Sequence, residues 1–230
     1  MITASTFAHK HNSFWKTNFP ALESYIRVVN SGAYDRILPD QAWKVVPERS
    51  FLISEVGFCL SRQTEVDKAI VDRTFDEAVR RLSGLPGAPD AIDVMDQAEI
   101  RQSISLSKRI RQMIPEIEME DELCIFDPIF SGCGVISKSQ GDLIAGETLI
   151  EIKSVDRNFR ASDFRQLLIY YFQNSAGKTH SIRRLKVLNP RRGISFSAKA
   201  PQLIFDISGS DVVEAQGRFL SAVSMGGISR

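Results

Sequence analysis

Residues 141–171 read GDLIAGETLIEIKSVDRNFRASDFRQLLIYY, and the alternation within this stretch decides the fold. From Thr148 to Val155 the chain runs Thr-Leu-Ile-Glu-Ile-Lys-Ser-Val. Successive strand side chains point to opposite faces, so Glu151 and Lys153 share a face with Leu149 and Val155, while Ile150 and Ile152 point the other way. A run this rich in Leu, Ile and Val has the composition of a mostly buried strand. Two ionisable groups on such a strand need a reason.

Gly146-Glu147 suits a two-residue hairpin loop, with Gly at the first central position of a type II′ turn. The register that follows sets Ala145 opposite Thr148, Ile144 opposite Leu149, Leu143 opposite Ile150 and Asp142 opposite Glu151. Facing residues have Cβ atoms roughly 4.5–5.5 Å apart, and like charges there repel. Two such carboxylates share a proton or bind a cation. Oxygen ligands favour a hard ion, Mg²⁺ or Mn²⁺. Lys153 adds a positive charge one pleat further along the same face. An exposed edge hairpin with solvated charges is the plainer alternative. The apolar strands and the register favour the metal site.

Downstream, Ser162 is the expected N-cap of a helix with Asp163 in its first turn. Phe164, Leu167, Leu168, Tyr171 and Phe172 form an apolar stripe at helical spacing, and Gln166, Tyr170 and Gln173 form a second, offset stripe. Taken alone, Gln166 and Tyr170 read as polar surface.

The pattern G-D-x(8)-E-I-K, followed by a helix bearing Q-x-x-x-Y, resembles the core of the PD-(D/E)xK (restriction-endonuclease-like) nuclease superfamily, and within it the RecB-like branch. The resemblance covers about thirty residues of the 230, and no Pro precedes Asp142. It implies an α/β fold with a mixed sheet flanked by helices in an αβββαβ core. It implies metal ligation by Asp142, Glu151 and the main-chain carbonyl of Ile152. Lys153 is implied to position or activate the attacking water and to offset charge at the phosphate. Gln166, with Tyr170 behind it, is implied to orient the lysine or the nucleic-acid backbone. Members of the superfamily often carry a further acid on the helix before the sheet. Glu55 and Glu99 both qualify.

The composition is that of an ordinary soluble protein, and no stretch approaches the roughly 18 apolar residues of a membrane span. Near Met1 there is neither an apolar signal core nor a cleavage pattern, so the expected location is the cytoplasm, with no membrane partner. Cys59, Cys124 and Cys133 form no CxxC pair and are expected as reduced thiols. His9 and His11 form an H-x-H without further ligands and read as polar residues at the surface, not as a metal site. The net charge of +1 hides an asymmetry: residues 1–150 hold 16 Lys/Arg against 22 Asp/Glu, and residues 151–230 hold 13 against 6. The basic part includes Arg157, Arg160, Arg165, Arg183, Arg184, Lys186, Arg191 and Arg192. It suits a phosphodiester partner, or equally contacts to the acidic half.

In chain order, residues 1–20 read as an aromatic lead-in that docks on the body. Ala21–Val29 reads as a short helix, Arg36–Glu48 as irregular, Phe51–Leu60 as an apolar helix, and Glu65–Leu82 as a helix with Val66, Ile70, Phe75, Val79 and Leu82 inward. Ser83–Pro89 is the clearest breaker. Ala91–Ile114 reads as a helix and Glu116–Glu122 as an acidic connection. Leu123–Phe130 should start the sheet, with Val135-Ile136 extending that strand. Ile182–Leu188 and Ile194–Phe196 read as strands, Leu203–Ile207 as a last short strand, and Val212–Val223 as a helix. Residues 1–90 are thus expected as an N-terminal helical region packed on a core of residues 91–230. No GxxxxGK[ST] loop is present, so nucleotide hydrolysis is not expected.

The expected activity is metal-dependent hydrolysis of nucleic-acid phosphodiesters, most naturally DNA, in a setting such as bacterial defence or DNA repair. The alternative is a catalytically silent subunit of the same fold that binds nucleic acid or scaffolds a larger complex. A partner subunit or a homo-oligomer is compatible with both.

Overall fold

The structure, a computed structural model, describes residues 1–41, 49–83, 94–118 and 124–224. The lead-in is helical: α1 (Ala4–Lys10) and α2 (Asn12–Asn18) come first. Thr3 caps α1 by accepting the Thr6 N–H at 3.1 Å. These short helices are held by aromatic burial. Phe7, Phe14 and Trp15 meet edge to face with centroids 5.2–5.8 Å apart, a favourable quadrupole arrangement. Next come α3 (Leu22–Asn30) and the two-residue strand β1 (Asp35–Arg36).

Helix α4 (Ser50–Leu60) is apolar on most sides and buries Leu52, Ile53, Val56 and Phe58. Helix α5 (Lys68–Ser83) begins later than its sequence suggests, because the Asp67 carboxylate accepts the Ile70 N–H at 2.7 Å and stops the helix there. Val66 therefore precedes it and is exposed. The inward face is Val71, Thr74, Ala78 and Leu82; Ile70, Phe75 and Val79 lie at its margin. Small residues face inward because α5 lies against α4.

The breaker Ser83–Pro89 falls outside the described residues beyond Ser83, as does Ala91–Asp93 of the next expected helix. That helix, α6 (Gln97–Met113), starts at a capping box: Asp96 Oδ1 accepts the Ala98 and Glu99 N–H groups at 2.7 and 2.8 Å, and Glu99 Oε2 accepts the Asp96 N–H at 3.0 Å, two orphan ends satisfied reciprocally. A 3-10 turn, Pro115–Glu118, follows; the rest of the acidic connection lies outside the described residues.

The first strand is shorter than expected. Strand β2 (Cys124–Phe126) ends at Asp127, whose φ is +53°. After Pro128 the chain leaves the main sheet, and β3 (Ile129–Phe130) pairs with β4 (Ser139–Gln140) in a separate ribbon. Ile136 makes isolated bridges to Ile2 and Cys133 and does not prolong β2.

The hairpin follows the predicted register. Strands β5 (Leu143–Ala145) and β6 (Thr148–Ile152) pair Ala145 with Thr148, Ile144 with Leu149 and Leu143 with Ile150. Gly146 takes φ +53° while Glu147 does not turn positive, the pattern of a II′ loop.

Helix α7 (Ala161–Gly177) crosses over to β7 (Arg184–Asn189), which runs parallel to β6, and β8 (Ile194–Lys199) returns antiparallel. The N-cap of α7 is Arg160, not Ser162: Asp163 at the third helical position accepts the Arg160 N–H at 2.9 Å. Leu203–Ile207, expected as a strand, lies in α8 (Ala200–Ser208), where Leu203, Ile204 and Ile207 are buried at helical spacing behind an N-terminal Pro201. Helix α9 (Val212–Ser224) closes the described chain.

The result is an α/β architecture with a mixed six-stranded sheet in the order β1-β8-β7-β6-β5-β2, flanked by helices. On one face Ile144, Leu149, Leu185 and Val187 pack with α7, α1–α3, α8 and α9. On the other, Leu143, Ala145, Ile150 and Leu188 meet Phe58, Leu106, Ile110 and Met113 of α4 and α6. Of residues 1–90, α1–α3 thus join the α7 side, β1 forms a sheet edge, and α4 and α5 lie with α6. Contact between α4 and α6 is close: a Cβ at Gly57 would stand 2.7 Å from Leu106 Cδ2. Among the described residues no helix is long and apolar enough to cross a membrane, and Cys59, Cys124 and Cys133 form no disulfide.

Candidate active site

Strand β6 presents Glu151 on the α7 face, and Lys153, the first residue after the strand, follows it there as the alternation requires. Glu151 is 1 % exposed. Its Oε1 lies 2.5 Å from Lys153 Nζ, and its Oε2 is buried without a hydrogen-bond partner. Lys153 Nζ also donates to Gln166 Oε1 at 3.1 Å, and Gln166 Nε2 donates to the Tyr170 hydroxyl at 2.6 Å. Tyr170 in turn stacks on Phe130, with centroids 5.6 Å apart. The offset stripe of α7 is therefore a relay of hydrogen bonds running into the strand, not polar surface. Gln173, the third member of that stripe, donates to the Ser137 carbonyl at 3.0 Å.

Asp142 stands at the mouth of the hairpin. Its Oδ2 accepts the Ile152 N–H at 2.6 Å, so the carboxylate is fixed by the residue whose carbonyl is the expected further ligand. Burial raises the Asp142 carboxyl above its ordinary range, against the lowering effects of Lys153 and of the Ile152 N–H. Burial, then the charge of Asp142, pushes Glu151 up to about 8, with Lys153 opposing. Burial disfavours the Lys153 ammonium, but the charges of Glu151 and Asp142 outweigh it and raise its pKa. The two acids and the lysine thus form one electrostatic unit, with the lysine held protonated.

The structure separates the two upstream acids. Glu99 caps α6 and is paired with Arg49 at 2.7 Å, which lowers its pKa. Glu55 on α4 lines both cavities that flank Asp142. Burial raises its pKa, Arg81 lowers it, and Asp142 raises it again. Of the two acids, Glu55 is the one that borders the cavities beside Asp142.

Three further residues emerge that the sequence reading did not single out. Arg81 contacts Glu55 through Nε and clasps Asp127 with both Nη atoms, at 2.7 and 2.9 Å. Asp127 receives Arg62 at 2.6 Å and Gln140 at 2.9 Å, and its own N–H donates to the Asp142 carbonyl at 3.0 Å. Lys138 lines the larger cavity. The Asp127-Pro128 dipeptide is a legible strand terminator. Nothing in the spacing of α5 marks Arg81.

The basic asymmetry has a largely structural outlet. Arg165 is buried on Glu23, Asn12 and the Ala8 carbonyl, Arg157 clasps Asp163, Arg183 pairs with Glu147, Arg192 with Asp40, and Lys186 donates to the Met113 carbonyl. Many of these cations therefore tie the two halves together and do not form a free positive face.

The cleft lies between α4, the end of α5 and the hairpin. Its larger cavity, of about 660 Å³, is lined by Thr6, Glu55, Arg81, Lys138, Asp142 and Gln166 among others. The smaller, of about 440 Å³, is lined by Ser54, Glu55, Phe58, Asp142 and Lys153 among others. Glu55, Leu82 and Asp142 border both.

Among the described residues no group of three or more His, Cys, Asp and Glu side chains is close enough to hold a metal ion. The fit to a hard cation rests on the Asp142–Glu151 pair. After burial, the charge of Asp142 raises the proton affinity of Glu151, and Glu151 keeps a buried oxygen with no donor. An all-oxygen donor set of this kind accepts Mg²⁺ or Mn²⁺ with main-chain and solvent oxygens completing the shell. Compared with known proteins, the chain matches no family model, no curated protein and no solved structure.

Proposed function

We propose that this protein is a metal-dependent nuclease of the PD-(D/E)xK kind, hydrolysing phosphodiester bonds of nucleic acid, with DNA as its substrate. One observation carries the reading. A buried glutamate on a central strand keeps an unpartnered oxygen beside a second carboxylate and a lysine. A protein gains nothing in stability from such a group, since an unsatisfied buried acceptor costs about 1–3 kcal/mol. The succession α6–β2–β5–β6–α7–β7, with β6 and β7 parallel, supports the αβββαβ assignment.

Asp142, Glu151 and the Ile152 carbonyl would hold the ion, which when bound supplies Lewis acidity at the phosphate and lowers the pKa of water. Lys153 remains an ammonium and places its charge at the smaller cavity, where it offsets the negative charge of the phosphate. A proton-bearing lysine is an electrostatic partner, not the base. Gln166 holds Lys153 through Oε1 and is itself oriented by Tyr170.

The test is a cleavage assay on single-stranded, duplex and circular DNA with Mg²⁺ or Mn²⁺. Asp142→Ala and Lys153→Ala should abolish cleavage while thermal melts show a folded chain. Cleavage retained by either purified variant refutes the assignment. A second reading, a silent nuclease-fold subunit, is favoured by the lack of a three-acid cluster among the described residues. Mg²⁺ titration by calorimetry separates the two, because only the enzyme needs metal binding that disappears in Glu151→Ala.

A further inference from the structure

Among the described residues, Arg81, Lys138 and Lys153 are the cations that line the two cavities. Arg81 is clasped by Asp127 and Glu55, and Lys153 by Glu151 and Gln166. Lys138 is exposed and has no ion pair or side-chain hydrogen bond among the described residues. A cleft with Glu55 and Asp142 on its walls repels a polyanion unless uncommitted positive charge lies next to it.

The backbone between Lys138 and Asp142 is fixed. Ser139 and Gln140 pair with Phe130 and Ile129, Gln140 Nε2 donates to Asp127 Oδ1 at 2.9 Å, and the Gly141 N–H donates to the Pro128 carbonyl at 2.9 Å. Gly141 has no room for a side chain without moving a ring: a Cβ there would stand 3.0 Å from Phe130 Cε2. Four residues of extended chain span at most about 14 Å, so the main chain of Lys138 lies within that reach of Asp142.

We propose that Lys138 holds the substrate strand in the larger cavity by a phosphate beside the scissile one. This rests on the phosphodiesterase reading and extends it by naming which flank of the cleft grips the strand. The ligand chemistry is a phosphodiester backbone, which DNA and RNA share.

The experiment measures fluorescence anisotropy of labelled single-stranded DNA and RNA oligonucleotides with the full chain. It runs without divalent ions, across a salt series, beside Mg²⁺-dependent cleavage kinetics. The variants are Lys138→Glu, Lys138→Arg and, as a control with the same charge change on an exposed position of α2, Lys16→Glu. Lys138→Glu should weaken binding of the preferred strand about tenfold and reduce the log–log salt slope by about 0.7, the value for one lost contact to a single strand. It should raise KM more than it lowers kcat, and Lys138→Arg should bind like the native chain. If the native chain binds and cleaves while Lys138→Glu matches Lys16→Glu in affinity and salt slope, the assignment of Lys138 is wrong and the nuclease reading stands. If the native chain neither binds nor cleaves either strand, the nuclease reading fails and this assignment with it.

Discussion

Replacing Glu151 by Gln isolates the central electrostatic feature with almost no change of shape. Burial and Asp142 together push the Glu151 carboxyl from 4.5 to about 8. The native state therefore binds this proton more tightly than the unfolded chain does. Stability from this group is fully present below about pH 4.5 and is lost as the pH rises towards 8, because the slope follows protons bound in the unfolded minus the native state. At about 1.4 kcal/mol per pH unit, the loss is on the order of 3–5 kcal/mol. For a chain of this size that corresponds to a fall in Tm of roughly 10 °C across the window, at about 2–4 °C per kcal/mol. A cation that takes the place of the proton should restore much of it, since ligand at a hundred times its Kd contributes about 2.7 kcal/mol. The assay is differential scanning fluorimetry of the native chain and of Glu151→Gln, from pH 5 to 8.5, in EDTA and in Mg²⁺. Other groups titrate in both proteins, so the difference between the two curves is the readout. The native curve should fall more steeply in EDTA and be lifted by Mg²⁺ at high pH. The Gln variant should lack both effects. Parallel curves, or equal Mg²⁺ stabilisation of both proteins, would show that Glu151 is neither the strained carboxylate nor a cation ligand.

Two further outcomes are expected. Gly57→Ala should gain helix propensity yet lose stability by a net amount of about 1–3 kcal/mol, because overpacking against Leu106 outweighs it; a urea melt showing stabilisation would contradict the close approach of α4 and α6. Arg81→Met leaves Asp127 with Arg62 and Gln140 but takes from the half-buried Glu55 its cationic partner, so it should lower the urea midpoint by an amount equivalent to about 1 kcal/mol, the low end of the cost of unpairing a polar group because Glu55 keeps contact with solvent, and a combined Arg81→Met/Glu55→Gln variant should recover part of that loss. No recovery would mean that the two residues are not coupled.

The hairpin and α7 were legible because each obeys a single local rule: period-two alternation, a Gly-led tight loop, and an apolar stripe at helical spacing. Glu151 and Lys153 follow from those rules, whereas Gln166 and Tyr170 read by them alone as polar surface and entered through the resemblance; the structure links the four in a chain of contacts. What the sequence did not disclose depends on partners distant in the chain. Strand β3 leaves the sheet because Asp127 takes a left-handed conformation that Arg62, Arg81 and Gln140 hold in place. The apolar run Leu203–Ile207 is compatible with both periods, and its burial under the sheet decides for a helix. Helix α5 turns Ala78 inward because α4 lies there, a choice its own composition cannot express. The basic residues of the C-terminal half read as a field for phosphate, whereas several are consumed by acids and carbonyls far away in sequence.

The Gly57–Leu106 contact has a mechanical consequence for the cleft. Glu55 sits two residues before Gly57 on the same rigid rod, and with backbone resting almost directly on a leucine there is no soft layer for that rod to sink into. The place of Glu55 opposite Asp142 is therefore set by a close contact of main chain on the Leu106 side chain, which leaves α4 little room to move towards α6. Any widening to admit a strand must come from the far jamb, the end of α5, where Leu82 packs into the α4–α5 core and Arg81 reaches Glu55 and Asp127.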